Sequence, residues 1–547
     1  MRFRSPLAAA LLLASFAPAV AQEPPQETFG ELIEVRVVNV EVVVTDRDGN
    51  RVSGLAPADF RLTVDGRQVP IEYFTEVVGG EAVAPSAAQA APVPGLPAIS
   101  PGEPVGTSYL VFVDDLFSIE QRRDQVLRRL KEDVGRLGPG DRMAVVAFDG
   151  RSLEMLSSWS TSKNELERAF DKAMLRRGRG LERLAERRSF EASRRFSPSP
   201  VTDRRGRASG IGTQLDFEER AFAERLADQV QTAVAAAVTT LRGFASPPGR
   251  KVMLLLSGGW PYSPADYTVN DAQQPIMDRE VPGGESLFRP LVDTANLLGY
   301  TLYPVDVPGL EADTVDAAAG APMPTGLNVR ENEIHRSLQF VAEETGGRAL
   351  INNARAEALQ RAADDTRSYY WLGFSPQRKR DDGRHDIEVT VLRPELTARS
   401  RESYLDVSRT AEVSMMVESA LLFGNPPGTQ PLPIQVGEIR KGGRREIEVP
   451  LTVAIPVDAI TVVPVGDKWV AELELRVAAV DEDGRRAPVP VVPLTVTTPT
   501  KPEAGKHIPY STTVRLRRAK QRLIVAVFDR ASGVLLSAEV EVVPPRG

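Results

Sequence analysis

The sequence predicts an α/β fold, a doubly wound sheet flanked by an N-terminal β unit and a C-terminal β-sandwich. Three observations predict it. Between residues 107 and 373, short apolar runs alternate with amphipathic helical patterns, the signature of βα units around a mostly parallel sheet. On either side of that stretch, residues alternate with period two and are punctuated by Asp-Gly turns. The chain has 547 residues, 42% hydrophobic and 26% charged, which is room for several domains.

The first 21 residues read as a signal peptide. Arg2 and Arg4 precede an apolar core, Leu7 to Ala17, too short to span a bilayer, and Ala19-Val20-Ala21 is a small-x-small cleavage site. No later window is long and apolar enough for a transmembrane segment, so the expected product is exported, to the periplasm or the cell exterior. Residues 30–78 form the N-terminal β unit: "VRVVNVEVVVTD" is β-branched, and "DRDGNRV" and Asp65-Gly66 are hairpin turns. Residues 79–106 are Ala/Pro/Gly-rich and read as a linker.

In the α/β region the predicted strands are 109–113, 142–148, 251–256, 301–307, 348–352 and 368–374. Helical patterns fall around 119–136, 162–175, 216–243 and 331–345. The first helix carries Val126, Leu130, Val134 and Leu137 as a buried stripe. The sheet is therefore expected to be Rossmann-like, with ligands at the carboxyl ends of its strands.

Residues 176–212 interrupt the pattern with eleven arginines against four acids, a local balance of +7. This insertion reads either as a solvated, partly disordered segment or as a basic arm for an acidic protein, an anionic polymer or a lipid headgroup. Residues 384–406 read as a β extension, which the N-terminal strands could join in one sandwich. Residues 410–547 read as the C-terminal β-sandwich.

Composition excludes several chemistries. There are no cysteines, hence no disulfides or thiolate sites. The three histidines, His335, His385 and His507, are far apart in sequence and read as surface or loop residues rather than a zinc site. The net charge of -7 gives no reason to expect nucleic acid. No nucleophile elbow or phosphate loop is present, and adjacent aspartates at a strand end rarely face one reacting centre, so no enzymatic role is expected.

The order strand–"DDLFS"–helix, then "DRMAVVAFDG", "TSKNELERAFDKA", "GIGTQLD", "RKVMLLLSGG" and "ANLLGYTLYPVDVPG" resembles a von Willebrand factor type A (VWFA) domain. It is closest to the VWFA-related domain family described from Acidobacteria. There the resemblance extends to the leading "VRVVNVEVVVTDRDGNRVSGLAPADFRLTVDG" and the trailing "VAEETGGRALINN", "DDTRSYYWLGFSP", "HDIEVTVLRP" and "SRESYL", over residues 30–406. The resemblance implies a metal-ion-dependent adhesion site for Mg²⁺ or Mn²⁺. Mapped by position, its first Asp falls on Asp114, its last Ser on Ser118 and its loop Thr on Thr213. Its middle Ser is Leu116 and its late Asp is Ser257, so the site is degenerate. Asp114 and Asp115 read either as ligands or as caps for the following helix.

Trp260 and Tyr262, in a Gly/Pro loop after the fourth strand, are expected on the same rim as Asp115 and Ser257, as partner contacts. Tyr369, Tyr370 and Trp371 read as an exposed patch or as a core strand. The function expected from all this is an exported binding or adhesion-type protein recognising a protein partner, which would complete the metal's coordination if metal binds. The alternative is a structural component of a cell-envelope assembly acting through its β domains, and the least expected is an enzyme of unknown type.

Overall fold

The computed structural model describes residues 37–83, 102, 104–196, 211–245, 250–268, 281–307, 326–352, 357–376, 381–423, 430–481 and 489–545. The signal peptide at 1–21, most of the 79–106 linker and residues 197–210 of the arginine-rich insertion lie outside the described residues.

The chain opens with five strands: β1 (Val38–Thr45), β2 (Phe60–Val64), β3 (Arg67–Val69), β4 (Tyr73–Val78) and β5 (Glu81–Ala82). β2 and β3 form a hairpin on Asp65-Gly66, whose φ angles of 48° and 74° are the pair of positive values a type I′ turn requires.

The α/β unit follows as β6 (Thr107–Asp114), α1 (Glu120–Asp133), β7 (Arg142–Phe148), β8 (Leu153–Ser160), α2 (Lys163–Met174), α3 (Gly180–Phe196) and α4 (Ile211–Gly243). It continues as β9 (Arg250–Ser257), α5 (Pro264–Thr268), α6 (Glu285–Leu298), β10 (Tyr300–Asp306), α7 (Gly326–Glu344) and α8 (Ala358–Arg367). The sheet order is β10-β9-β6-β7-β8, parallel except for β8. Central β6 is buried along its whole length, as its unbroken apolar run demands. Leu110 and Phe112 enter a core with α4, α6 and α7, whereas Tyr109, Val111 and Val113 enter the opposite core with α1, α2 and α8.

The chain then returns to its start through β11 (Tyr369–Phe374), β12 (Arg384–Val391), β13 (Thr397–Arg399) and β14 (Ser403–Leu405). β11 lies between β1 and β4, and β13 flanks β1; β12 lies between β14 and β2. These two sheets enclose one core, with Val40, Val42 and Leu372 from one meeting Phe60, Leu62 and Ile387 from the other. The expected closure of the N-terminal strands with 384–406 is thus made, with β11 at its centre.

A helix, α9 (Arg409–Phe423), leads to the C-terminal strands. Two sheets between Gln430 and Val542 share a core in which Ile447, Val449 and Leu451 face Leu473, Leu523 and Val525. α9 covers the outside of one of them, with Val413 and Val417 on Ile524 and Phe528, and it also contacts α4. Among the described residues no helix is long and apolar enough to cross a membrane.

Several expectations change. Residues 369–374 belong to the flanking sandwich rather than to the α/β sheet, because both their edges are taken by β1 and β4. Residues 348–352 make a single bridge, Leu350 to Val305, instead of a strand. β8 was hidden because its exposed residues break the apolar run. Residues 180–196 of the insertion form a helix, with Phe190 stacked on Phe222 of α4 at 4.5 Å. The region from 410 begins with a helix rather than a strand.

Leu372 is fully buried at the centre of the flanking core. Leu372→Ala is expected to cost about 2–5 kcal/mol of stability in urea unfolding, with β1 and β4 losing protection from amide exchange together.

Candidate functional site

β6 delivers Asp114 to the carboxyl end of the α/β sheet, where the chain turns toward α1. Asp114 Oδ1 accepts hydrogen bonds from the backbone N–H groups of Leu116 (3.0 Å) and Phe117 (3.3 Å), which shapes that turn. Asp114 Oδ2 accepts from Ser257 Oγ (2.8 Å) and from the Trp260 indole Nε1 (2.7 Å). The carboxyl is fully buried; burial pushes it up to about 6, against the pull of these hydrogen bonds.

Trp260 reaches Asp114 because the Ser257-Gly258-Gly259 turn lies directly on the Asp114 loop. A Cβ on Gly258 would stand 1.9 Å from the Phe117 carbonyl oxygen. Gly259, at φ 112°, leaves no room for one against Ile334. Ser257 Oγ also accepts from Gly259 N at 3.2 Å, so the turn and the carboxylate are tied through one hydroxyl.

Asp115 is equally enclosed. Its oxygens accept from Arg123 Nη1 (2.6 Å) and Arg176 Nε (2.7 Å). Burial pushes its carboxyl up from the ordinary value, opposed by those guanidiniums. Arg123 also donates to the Arg176 carbonyl at 2.7 Å. Arg179 N donates to the Asp115 carbonyl (2.7 Å) and Gly180 N to the Ser118 carbonyl (3.0 Å). The start of the arginine-rich segment is therefore fastened over the strand ends.

The seven residues expected at the site have different fates. Asp114 and Ser257 meet directly. Ser118, four residues after Asp114, is fully buried, and its hydroxyl makes no hydrogen bond within the protein. Thr213 falls in α4, with its side chain outside the described residues. Asp115 is an internal ion-pair partner rather than a contact surface. Trp260 and Tyr262 are buried, not exposed: both rings stack on Phe288, at 6.2 and 5.9 Å, because the indole is drawn inward by Asp114. Arg336 covers Tyr262, its guanidinium 4.2 Å from the ring centre.

These residues do not fit a divalent cation. Mg²⁺ or Mn²⁺ requires oxygen ligands with free lone pairs. Both Asp114 oxygens already accept two donors each, and the indole N–H can only donate. The second carboxylate, Asp115, is neutralised by two arginines.

Arg123 and Arg176 were missed in the sequence. Arg123 precedes Val126 and Leu127 by three and four residues, so it shares the buried stripe of α1, and a charge in that stripe signals a buried partner. His385 also departs from expectation: it is a buried strand residue, with Nδ1 3.1 Å from Asp65 and Nε2 3.1 Å from Asp381. Among the described residues, Asp381, His385 and Asp406 bring ligand atoms within 4.8 Å of one another. An imidazole flanked by two carboxylates is equally the geometry of a hydrogen-bonded core histidine.

No protein-family model and no curated protein matches the chain. Solved structures with local likeness include the following two. A Northeast Structural Genomics Consortium target is 14% identical over 21% of this chain and 84% of its own, with a TM-score of 0.14. Bacteroides uniformis beta-glucuronidase 2 is 9% identical over 32% of this chain and 19% of its own, also with a TM-score of 0.14. Both scores are too low to bear on fold or function.

The folded Asp114 carboxyl titrates at about 6, against 3.8 for an ordinary aspartate. Between those values the folded state holds more protons than the unfolded state, so the stability Asp114 contributes falls as pH rises through this window. The difference in urea stability between wild type and Asp114→Asn is therefore expected to shrink by about 2–3 kcal/mol from acid to neutral pH. A difference that stays constant would show that Asp114 titrates normally.

Proposed function

We propose that the chain is an exported, VWFA-like binding protein that recognises a protein partner at the strand-end face of its α/β unit without a shared cation. The observation that carries this is the Asp114 carboxylate, whose four hydrogen bonds come from the protein itself, one of them from Trp260. In a metal-dependent adhesion site that carboxylate would be spent on the ion. Here it locks the strand-end loops in one arrangement, which lowers the ordering cost of binding. The mostly parallel sheet with helices on both faces is consistent with the family reading, and the internal commitment of Asp114 and Asp115 speaks against an acid–base pair.

The contact surface is the segment fastened over the rim. Leu175 and Leu181 are 87% and 60% exposed on either side of the Arg176–Gly180 turn, and the Arg177 side chain is 80% exposed. Exposed leucines among arginines fit a partner with an apolar, acidic surface.

A photo-crosslinking residue at position 181 is expected to trap the partner equally in EDTA and in Mg²⁺. Leu181→Asp is expected to weaken capture roughly tenfold, as loss of a central apolar anchor does. Capture abolished by EDTA would refute the cation-free mode. Crosslinks arising only from a probe at the exposed Leu392 of the flanking sandwich would favour the assembly-component role.

A further inference from the structure

A cavity of about 460 Å³ lies at the opposite end of the α/β sheet from Asp114, where the amino ends of β9 and β10 meet the flanking sandwich. Its polar lining comes from five places in the chain: Asn39 and Glu41 on β1, Arg250 on β9, Asn296 on α6, Trp371 on β11, and Arg401 before β14. Arg250 and Asn296 are each 1% exposed and Trp371 4%. These side chains leave many buried polar atoms without a hydrogen bond inside the protein. The donors are Arg250 Nε and Nη1, Arg401 Nε and Trp371 Nε1; the acceptors are Asn39 Oδ1, Asn296 Oδ1 and Glu41 Oε2. Buried polar atoms are normally served by protein groups or by bound polar molecules, so seven of them around one cavity mark a space that holds polar contents, although two of the seven, Arg250 Nε and Glu41 Oε2, also face each other.

The charge balance specifies the occupant further. Arg250, Lys251 and Arg401 line the cavity with Glu41 as the only carboxylate among the lining residues. Glu41 Oε2 lies 3.2 Å from Arg250 Nε as an ion pair, outside hydrogen-bond geometry. The Arg250 guanidinium lies over the Tyr369 ring, 4.0 Å from its centre. Arg401 is fixed by donating to the carbonyls of Asn296 (2.6 Å) and Asn39. Asn296 is fixed by donating through Nδ2 to the Glu344 carbonyl and Ser403 Oγ, both at 3.1 Å. The open donors are thus preset rather than adaptable. Burial lowers Lys251 to about 8 and Arg401 to about 10; it opposes the charge on Arg250 too, but Glu41 and the neighbouring tyrosines outweigh it and hold that guanidinium above its ordinary value.

We infer that this cavity is a binding site for a small polar carboxylate carrying hydroxyl or amino groups. Its carboxylate lies among Arg250, Arg401 and Trp371, and its hydrogen-bond donors meet Asn39, Asn296 and Glu41. The cavity volume lies within the range of metabolite sites. The site is separate from the strand-end face, and it stands whether or not a protein partner binds there.

The test is calorimetry and thermal unfolding of the mature chain with gluconate and with glutamate as probes, and with sorbitol and sulfate as controls. A saturable rise in melting midpoint with gluconate or glutamate, absent with sorbitol and smaller with sulfate, is expected. Trp371→Phe, which keeps the ring and removes one donor, is expected to weaken that binding roughly tenfold, as loss of a hydrogen bond to a charged group does. Arg401→Met is expected to weaken it further, and circular dichroism checks that both variants fold. Binding near pH 8 is expected to take up protons as Lys251 regains its charge, visible as a dependence of the heat on buffer. No response to either carboxylate at tens of millimolar overturns the inference. So does sulfate acting as strongly as gluconate, which would mean an adventitious anion only, or binding undiminished in a folded Trp371→Phe.

Discussion

A carboxylate buried at the end of a central strand must be compensated, and much of the strand-end architecture follows from how Asp114 is. Two of its hydrogen bonds shape the turn into α1, and two reach across to the loop after β9. The second pair requires a chain approach that Gly258 and Gly259 permit. It draws Trp260 inward, which in turn seats Phe288 and Tyr262. Asp115 plays the same part on the other side, binding α1 to the Arg176 turn. Two adjacent aspartates thus organise two different loops, one through neutral donors and one through guanidiniums.

The main architecture was legible in the sequence because it rests on periodicity. The buried run of β6, the amphipathic stripe of α1 and the Asp65-Gly66 hairpin all have local signatures. What was not legible depends on distant partners. Tyr369 to Phe374 reads as a strand in isolation, but nothing local says that its neighbours are β1 and β4. Its even residues pack in the sandwich core and its odd ones face the α/β unit, so both readings of its aromatics as core or contact reduce to core. Trp260 was placed on the rim by position in the fold, correctly for its backbone; its side-chain direction depended on a carboxylate 146 residues away. Arg123 was visible as a charge in an apolar stripe, but its partners were not.

The flanking sandwich and the α/β unit share a wide seam built from unlike materials. Val43, Val77, Tyr369 and Trp371 make an apolar strip, and beside it the side chains of Arg250, Glu41, Asn296 and Arg401 make a polar one. The apolar strip provides cohesion through burial; the polar strip gives the seam direction, because hydrogen bonds tolerate less misalignment than apolar contact does. The carboxyl ends of the strands are closed by neutral and ionic hydrogen bonds, while the amino ends retain a lined cavity.

The placement of β11 has a consequence for biosynthesis. Tyr370 donates a hydrogen bond to the Val52 carbonyl, 318 residues away, and β11 occupies the gap between β1 and β4. Until that segment is available, the strands made first have two open edges and no completed core. Such edges are templates for mispairing. A chain with this topology carries those open edges until its second half has been made, and once closed it can reopen the sandwich only by withdrawing the middle strand of the five-stranded sheet.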